Sequence, residues 1–158
     1  MLFTGQAEIT IDAKQRLAVP SKFRARLPEG ETNWYCVPWP EGSLLRLYPE
    51  KTFEAQAARL DDSLTAGRDA SQLDTMLFGS AEFLETDKTG RVRLPKWHLD
   101  LVELPTDVMV VGARSRLEIH PREAWQAGTT DRFRGITSLI ERNELRGAPR
   151  TGQNGPTA

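Results

Sequence analysis

Two short stretches carry side chains with chemistry to offer. The first is Asp12-Ala13-Lys14-Gln15-Arg16-Leu17-Ala18-Val19-Pro20, and the second is Asp87-Lys88-Thr89-Gly90-Arg91-Val92-Arg93-Leu94-Pro95. Both read Asp, three loop residues, Arg, apolar, any, apolar, Pro. A carboxylate at the entrance of a tight loop accepts backbone N–H groups two residues on. Gly90 suits the left-handed position that a three-residue hairpin loop needs. Each loop would therefore hold Arg16 or Arg91 at a fixed place, with Lys14 or Lys88 beside it. A guanidinium so held can do one of two things. It can stay with Asp12 or Asp87 as a brace for the turn, a pair that is common and weak at a surface. It can also point its planar fork outward, toward an anion or the edge of a guanine base.

The elements that must position these loops are also written twice. Ala7, Ile9 and Ile11 alternate with polar residues before the first loop, and Leu17 and Val19 continue the apolar face after it. Ser21 to Leu27 reads as a short helix with Phe23 and Leu27 on one side and Ser21 as a possible cap. Trp34–Val37 and Leu44–Tyr48 read as strands. The second copy runs from Glu82-Phe83-Leu84 through a short helix, Trp97–Leu101, to Val108–Val111, an apolar run suited to burial on both faces. Leu45-Arg46-Leu47-Tyr48-Pro49 parallels Leu117-Glu118-Ile119-His120-Pro121, each running into a helix with Pro at its first turn. Between the copies the spacing predicts a helix from Pro49 to about Leu64 and another from Ser71 to Phe78 closed by Gly79. A last helix is expected over Thr130–Leu145, weakened by Gly135. The expected division is 5–54 and 80–126 for the repeats, 55–79 for a helical linker, 127–146 for a helical extension and 147–158 for a disordered tail.

Composition narrows the function classes. The chain has 158 residues and a formal net charge of -1, with no apolar run near the length of a membrane span. The start, Met1-Leu2-Phe3-Thr4-Gly5, lacks the basic and apolar regions of a signal peptide. Cys36 is the single cysteine, which excludes an intrachain disulfide and a multi-cysteine zinc site. A cytoplasmic protein is the simplest expectation. Charge is unevenly spread. Asp12 to Arg26 holds five basic residues (Lys14, Arg16, Lys22, Arg24, Arg26) against one acid. Asp87 to His98 holds four (Lys88, Arg91, Arg93, Lys96) against one. Positive charge thus gathers on the two loops and the short helices after them.

The doubled Asp-x-x-x-Arg motif, with Ile11 before the first copy, Leu17-Ala18-Val19-Pro20 after it, and the Tyr-Pro and His-Pro helix starts, resembles the MraZ family over roughly Phe3 to Trp125. These are bacterial transcriptional regulators of the division and cell-wall gene cluster, with two AbrB-like (SpoVT-AbrB) domains in tandem. The resemblance implies a mainly β fold with helices (α+β). The two repeats would form a double AbrB-like swapped-hairpin β-barrel, an intrachain pseudo-dimer. It implies ring homo-oligomers that bind guanine-rich direct repeats of double-stranded DNA upstream of their own operon, and a nucleoid-associated cytoplasmic location. It carries Arg16 and Arg91 over as DNA contacts, with Lys14 and Lys88 beside them and Asp12 and Asp87 orienting the loops. Lys22, Arg24, Arg93 and Lys96 are candidates for phosphate contact or for a solvated helix face. Gln15 stands where the family usually has Gly. If that position needs a positive φ, the side chain costs about 1 kcal/mol. Trp97 and His98 are bulkier than the second short helix requires.

DNA binding would use Lys and Arg on phosphates for affinity and an Arg fork on guanine for sequence. Two hairpins make a small contact set, so several chains side by side on repeated sites would be needed. Two rivals differ in class. One is an antitoxin-like AbrB-type module holding a protein partner through its tail. The other is a structural oligomer whose loops bind no DNA. No catalytic set, phosphate-binding glycine loop or paired acids stands out, so no enzyme, cofactor or small-molecule substrate is expected. His98 and His120 lack the company of metal ligands, and Cys36 reads as a small buried residue. Trp34, Trp39, Trp97 and Trp125 read as core or interface anchors.

Overall fold

A computed structural model describes residues 1–147. The chain falls into two units, Met1–Trp125 and Gln126–Ala158. The first unit is a mixed α+β structure with eight strands: β1 (Gln6–Thr10), β2 (Arg16–Ala18), β3 (Trp34–Trp39), β4 (Leu44–Pro49), β5 (Glu82–Leu84), β6 (Arg91–Arg93), β7 (Asp107–Gly112) and β8 (Leu117–Pro121). Its helices are α1 (Ser21–Arg24), α2 (Glu50–Ala57), α3 (Arg68–Ser80) and α4 (Lys96–Val102), and α5 (Arg122–Ala127) crosses the boundary between the units. The second unit contains α6 (Thr129–Gly147). The expected tail, 147–158, lies outside the described residues except for Gly147, which ends α6.

Six strands form one sheet in the order β1-β7-β8-β4-β3-β5, and β2 pairs with β6 in a separate two-stranded ribbon. All pairings are antiparallel. The two halves of the sequence interleave. The first strand of the first half, β1, pairs with β7 of the second, and β5 pairs back onto β3. The hydrogen-bonded order has two free ends, β1 and β5, so no closed barrel is detected.

Burial follows the period-two pattern of the strands. Leu17 and Val92 sit opposite each other on the inner face of the ribbon, both fully buried. Leu45, Leu47, Leu117 and Ile119 line the centre of the sheet, again with no exposed surface. Phe3, Phe23 and Trp34 close one end, with Phe3 and Phe23 edge to face at 6.2 Å between ring centres. Val108, Met109 and Val110 of β7 are buried between β1 and β8, as the continuous apolar run requires.

Several helix limits differ from expectation. Helix α2 stops at Ala57, well short of Leu64. Leu60 is 42% exposed and Leu64 fully so, so continuing the helix to Leu64 would bury little, and Asp61-Asp62-Ser63 favour turns over helix interior. Helix α3 starts earlier, at Arg68, and runs through Gly79 to Ser80, where the chain turns extended at Ala81. Pro20, not Ser21, is the cap residue of α1, and no side chain caps it. Gly135 is accommodated inside α6.

Candidate nucleic-acid interface

Each Asp-x-x-x-Arg stretch closes into the same loop. In the first, Asp12 Oδ1 accepts the backbone N–H groups of Lys14 and Arg16, both at 2.9 Å, and Oδ2 accepts Arg16 Nε–H at 2.7 Å. In the second, Asp87 Oδ1 accepts the N–H of Thr89 at 2.9 Å, its hydroxyl at 2.8 Å and the N–H of Arg91 at 3.0 Å, while Oδ2 accepts Arg91 Nε–H at 2.9 Å. These donors favour the ionised carboxylate. Chiefly through the backbone N–H of Arg16 and of Arg91, both Asp12 and Asp87 are held below the usual carboxylate range. The last of the three loop residues is left-handed in both, Gln15 at φ 60° and Gly90 at φ 81°. Gln15 therefore keeps the loop shape that glycine would give, at the cost expected for a side chain there.

The loops are locked to each other. The carbonyl of Gln15 accepts the N–H of Leu94 at 2.8 Å, and the carbonyl of Gly90 accepts the N–H of Val19 at 3.0 Å. Each loop's last peptide is thus gripped by the strand end of the opposite half. In the ribbon, Arg16 lies opposite Arg93 and Arg91 opposite Ala18. Leu17 and Val92 point inward, so Arg16, Arg93, Arg91 and Ala18 share the outer face. Arg16 and Arg91 sit two residues apart along the strands and one strand across, a Cα separation of about 8 Å. Their side chains are 31% and 34% exposed. With Nε committed to the aspartate, the two terminal nitrogens of each guanidinium remain as donors, and among the described residues they make no further hydrogen bond or ion pair. A braced arginine is a stiff one, held at Nε with its terminal nitrogens left over.

The chain matches the family model described as "MraZ protein, putative antitoxin-like" over residues 2–75 and 77–132. It is 37% identical over 127 residues to the transcriptional regulator MraZ of Neisseria meningitidis serogroup C, covering 80% of this chain and 84% of that one. It is 34% identical to the protein of the same name from Chromobacterium violaceum, over 80% of this chain and 86% of that one. With the Lactiplantibacillus plantarum protein, also called transcriptional regulator MraZ, it shares 31% identity over 140 residues, 89% of this chain and 96% of that one. The chain belongs to the MraZ family.

Within this MraZ chain the other basic candidates divide by what holds them. Lys14 and Lys88 are exposed on the loop tips. Lys22 Nζ donates to the Gln6 carbonyl at 2.6 Å, tying α1 to β1. Arg24 Nε donates to the Val19 carbonyl at 3.0 Å and covers Gly90, where a Cβ would meet its guanidinium carbon at 2.6 Å. Lys96 forms an exposed pair with Asp100 at 3.1 Å. The Arg93 side chain is exposed and, among the described residues, makes no hydrogen bond or ion pair.

Three further clusters were not foreseen. At the centre of the sheet Arg46 and Glu118 lie opposite each other across β4 and β8. Glu118 accepts Arg116 Nε–H at 3.0 Å, with Arg116 Nη2 2.8 Å away, and faces His120 Nε2 at 3.0 Å and Arg46 Nε at 3.5 Å. The bond from His120, then Arg116, lowers its pKa to about 2. Arg46 also stacks on Trp39, 3.6 Å from the ring centre. The signal available in sequence was the opposite charge at matching repeat positions. The second cluster is His98, fully buried in α4. Its Nε2–H donates to the Ser80 carbonyl at 2.7 Å, so Nδ1, 3.3 Å from Cys36 Sγ, accepts from the thiol. Burial lowers the His98 pKa and pushes the Cys36 thiol up. The third is Arg122, whose guanidinium spans β1 and β7 through the carbonyls of Ile9 at 2.8 Å and Val108 at 3.3 Å. Trp97 is 43% exposed while its indole N–H reaches Glu82 at 3.2 Å, and Trp125 N–H reaches Gln6 at 2.6 Å. Among the described residues no group of His, Cys, Asp and Glu is placed to hold a metal ion, and no helix is long and apolar enough to cross a membrane.

Proposed function

We propose that this chain is a sequence-specific DNA-binding transcriptional regulator of the division and cell-wall gene cluster, its own operon included, acting in the nucleoid. Arg16 and Arg91 would each take the O6 and N7 of a guanine in the major groove, where a two-stranded ribbon fits. Lys14 and Lys88 would take flanking phosphates, and Asp12 and Asp87 aim the guanidinium groups. The observation that carries this reading is the β2–β6 ribbon itself, whose outer face presents three arginines while two of them are stiffened at Nε by a loop aspartate. The relatives' shared name, transcriptional regulator MraZ, supports the same role. The interleaved strands support an AbrB-like swapped-hairpin arrangement built by repeats at 5–54 and 80–126 within one chain. One ribbon buries too little for tight binding, so a ring of chains on guanine-rich direct repeats supplies the avidity.

A mobility-shift titration with duplex DNA from upstream of the gene, in low and moderate salt, tests the reading. Sequence-selective retardation is expected, and the double variant Arg16→Ala, Arg91→Ala should abolish it. Each arginine contributes about 1–3 kcal/mol of discrimination. Unchanged binding by the double variant would move the contact elsewhere.

A second reading has its own support. The family description carries the word antitoxin-like, and α6 leaves Phe133, Ile136 and Ile140 exposed. A protein partner held by α6 is the interaction-module alternative. It predicts a binding partner whose capture is lost with Phe133→Asp and unaffected by loss of the loop arginines.

A further inference from the structure

The two ends of the ribbon are related by an approximate twofold axis between Leu17 and Val92. Arg16 corresponds to Arg91, and Ala18 corresponds to Arg93. The correspondence breaks at that second pair. On one side Arg16 faces Arg93 directly across the strands, and on the other Arg91 faces a methyl group. Like charges directly opposite on one face of an antiparallel pair repel. Arg16 is neutralised in part by Asp12 at 2.7 Å, but Arg93 has no such partner among the described residues. It lines a shallow cleft with Gln15, Glu85 and Lys96, and makes no ion pair there. The fold thus places a bare guanidinium beside a braced one, against local stability. Such local conflicts concentrate at functional sites.

We propose, resting on the DNA-binding reading above, that Arg93 is a third base-reading arginine, and that its missing counterpart at Ala18 makes the two ends of each ribbon read unequal sequence. The side chain shares the outer face with Arg16 and Arg91, so it meets the groove floor with them and not the phosphate walls flanking the loop tips, where Lys14 and Lys88 stand. The Arg16/Arg93 end takes two guanines. The Arg91/Ala18 end takes one, and its methyl suits the C5-methyl of a thymine. A chain with unlike ends binds DNA in one orientation only. Several identical chains set side by side then require repeats that all run in the same direction, not inverted ones.

Selection of binding sites from a randomised duplex library by the full-length chain tests this. The wild type should yield a contact motif with unlike halves, one richer in guanine. Arg93→Ala should lose guanine preference in that half alone and weaken binding to the wild-type motif about 5- to 100-fold. Arg93→Lys keeps the charge and the fold but lacks the fork. It should keep the salt dependence and lose the same guanine preference. Ala18→Arg should gain guanine at the mirrored position and make the motif symmetric. An even loss of affinity by Arg93→Ala on selected and scrambled duplexes, with the salt slope falling by about 1, would make Arg93 a phosphate contact and overturn the proposal alone. So would a symmetric wild-type motif, or a motif unchanged in Arg93→Ala. Failure of the wild type to select any sequence would overturn the DNA-binding reading and this proposal with it.

Discussion

Within each loop, one residue in a left-handed conformation decides where the arginine points. Gln15 and Gly90 occupy equivalent places at φ 60° and φ 81°, yet only the second is glycine. Adding a side chain in one loop and removing one in the other should therefore act with opposite sign. Gly90→Ala should lose about 1–2 kcal/mol, because a side chain is strained there and its Cβ would meet Arg24. Gln15→Gly should stabilise by about 0.5–1 kcal/mol, less whatever freedom the unfolded chain gains. Urea unfolding of the two variants measures both, and loops of different shape would give changes of equal sign. The aspartates add a pH dependence. Their folded pKa values lie below the ordinary aspartate value of 3.8. The stabilisation they give is thus fully present above that value and lost as pH falls toward the folded pKa. Arg16 and Arg91 lose their brace in the same acid window.

Among the elements, two joints carry titratable groups with shifted pKa values. At the β4–β8 joint, Glu118 has a folded pKa of about 2 against an ordinary 4.5. Its contribution is present above pH 4.5 and disappears as pH falls through about 2, and Glu118→Gln should cost about 2 kcal/mol at neutral pH. A urea midpoint that is the same in the variant and the wild type at pH 7 would show that Arg46, Arg116 and His120 do not depend on it. The other joint ties α3 to α4 and β3 through His98, which bonds Ser80 and Cys36. His98 is neutral in the fold and its pKa is lowered from 6.5. The unfolded chain therefore takes up the proton first as pH falls below 6.5, and stability declines from there toward the folded pKa. His98→Phe repeats the residue found at the matching position, Phe23, and should flatten that slope while leaving the Ser80 carbonyl without its donor. Cys36 is fully buried with its thiol pKa raised, so a thiol reagent should modify it only after denaturation. Rapid labelling of the native chain would mean that this joint opens.

For the whole molecule, the buried apolar residues run from Phe3 to Ile119, and α6 contributes none among the described residues. The formal net charge of -1 gives no long-range attraction to a polyanion. Binding would thus come from the local clustering of the loop and ribbon cations, with a steep loss as salt rises.

The doubled motif made the loops, the repeat and the family legible at once, because a tight turn needs its Asp, its positive-φ residue and its spacing, and these are local demands written in consecutive residues. The strands were legible for the same reason, since period-two burial leaves its mark within a few positions. Helix ends were read less well. Leu60 and Leu64 keep helical spacing, but Leu64 is fully exposed and Leu60 only partly covered, and spacing alone carries no information about what lies opposite. Pairings between distant segments were decided only by the tertiary structure. That Arg16 faces Arg93, that Arg46 faces Glu118, and that His98 finds Cys36 and Ser80 all depend on strand register and chain interleaving. Register is settled by the summed burial of both halves at once, a property that no single stretch of sequence contains.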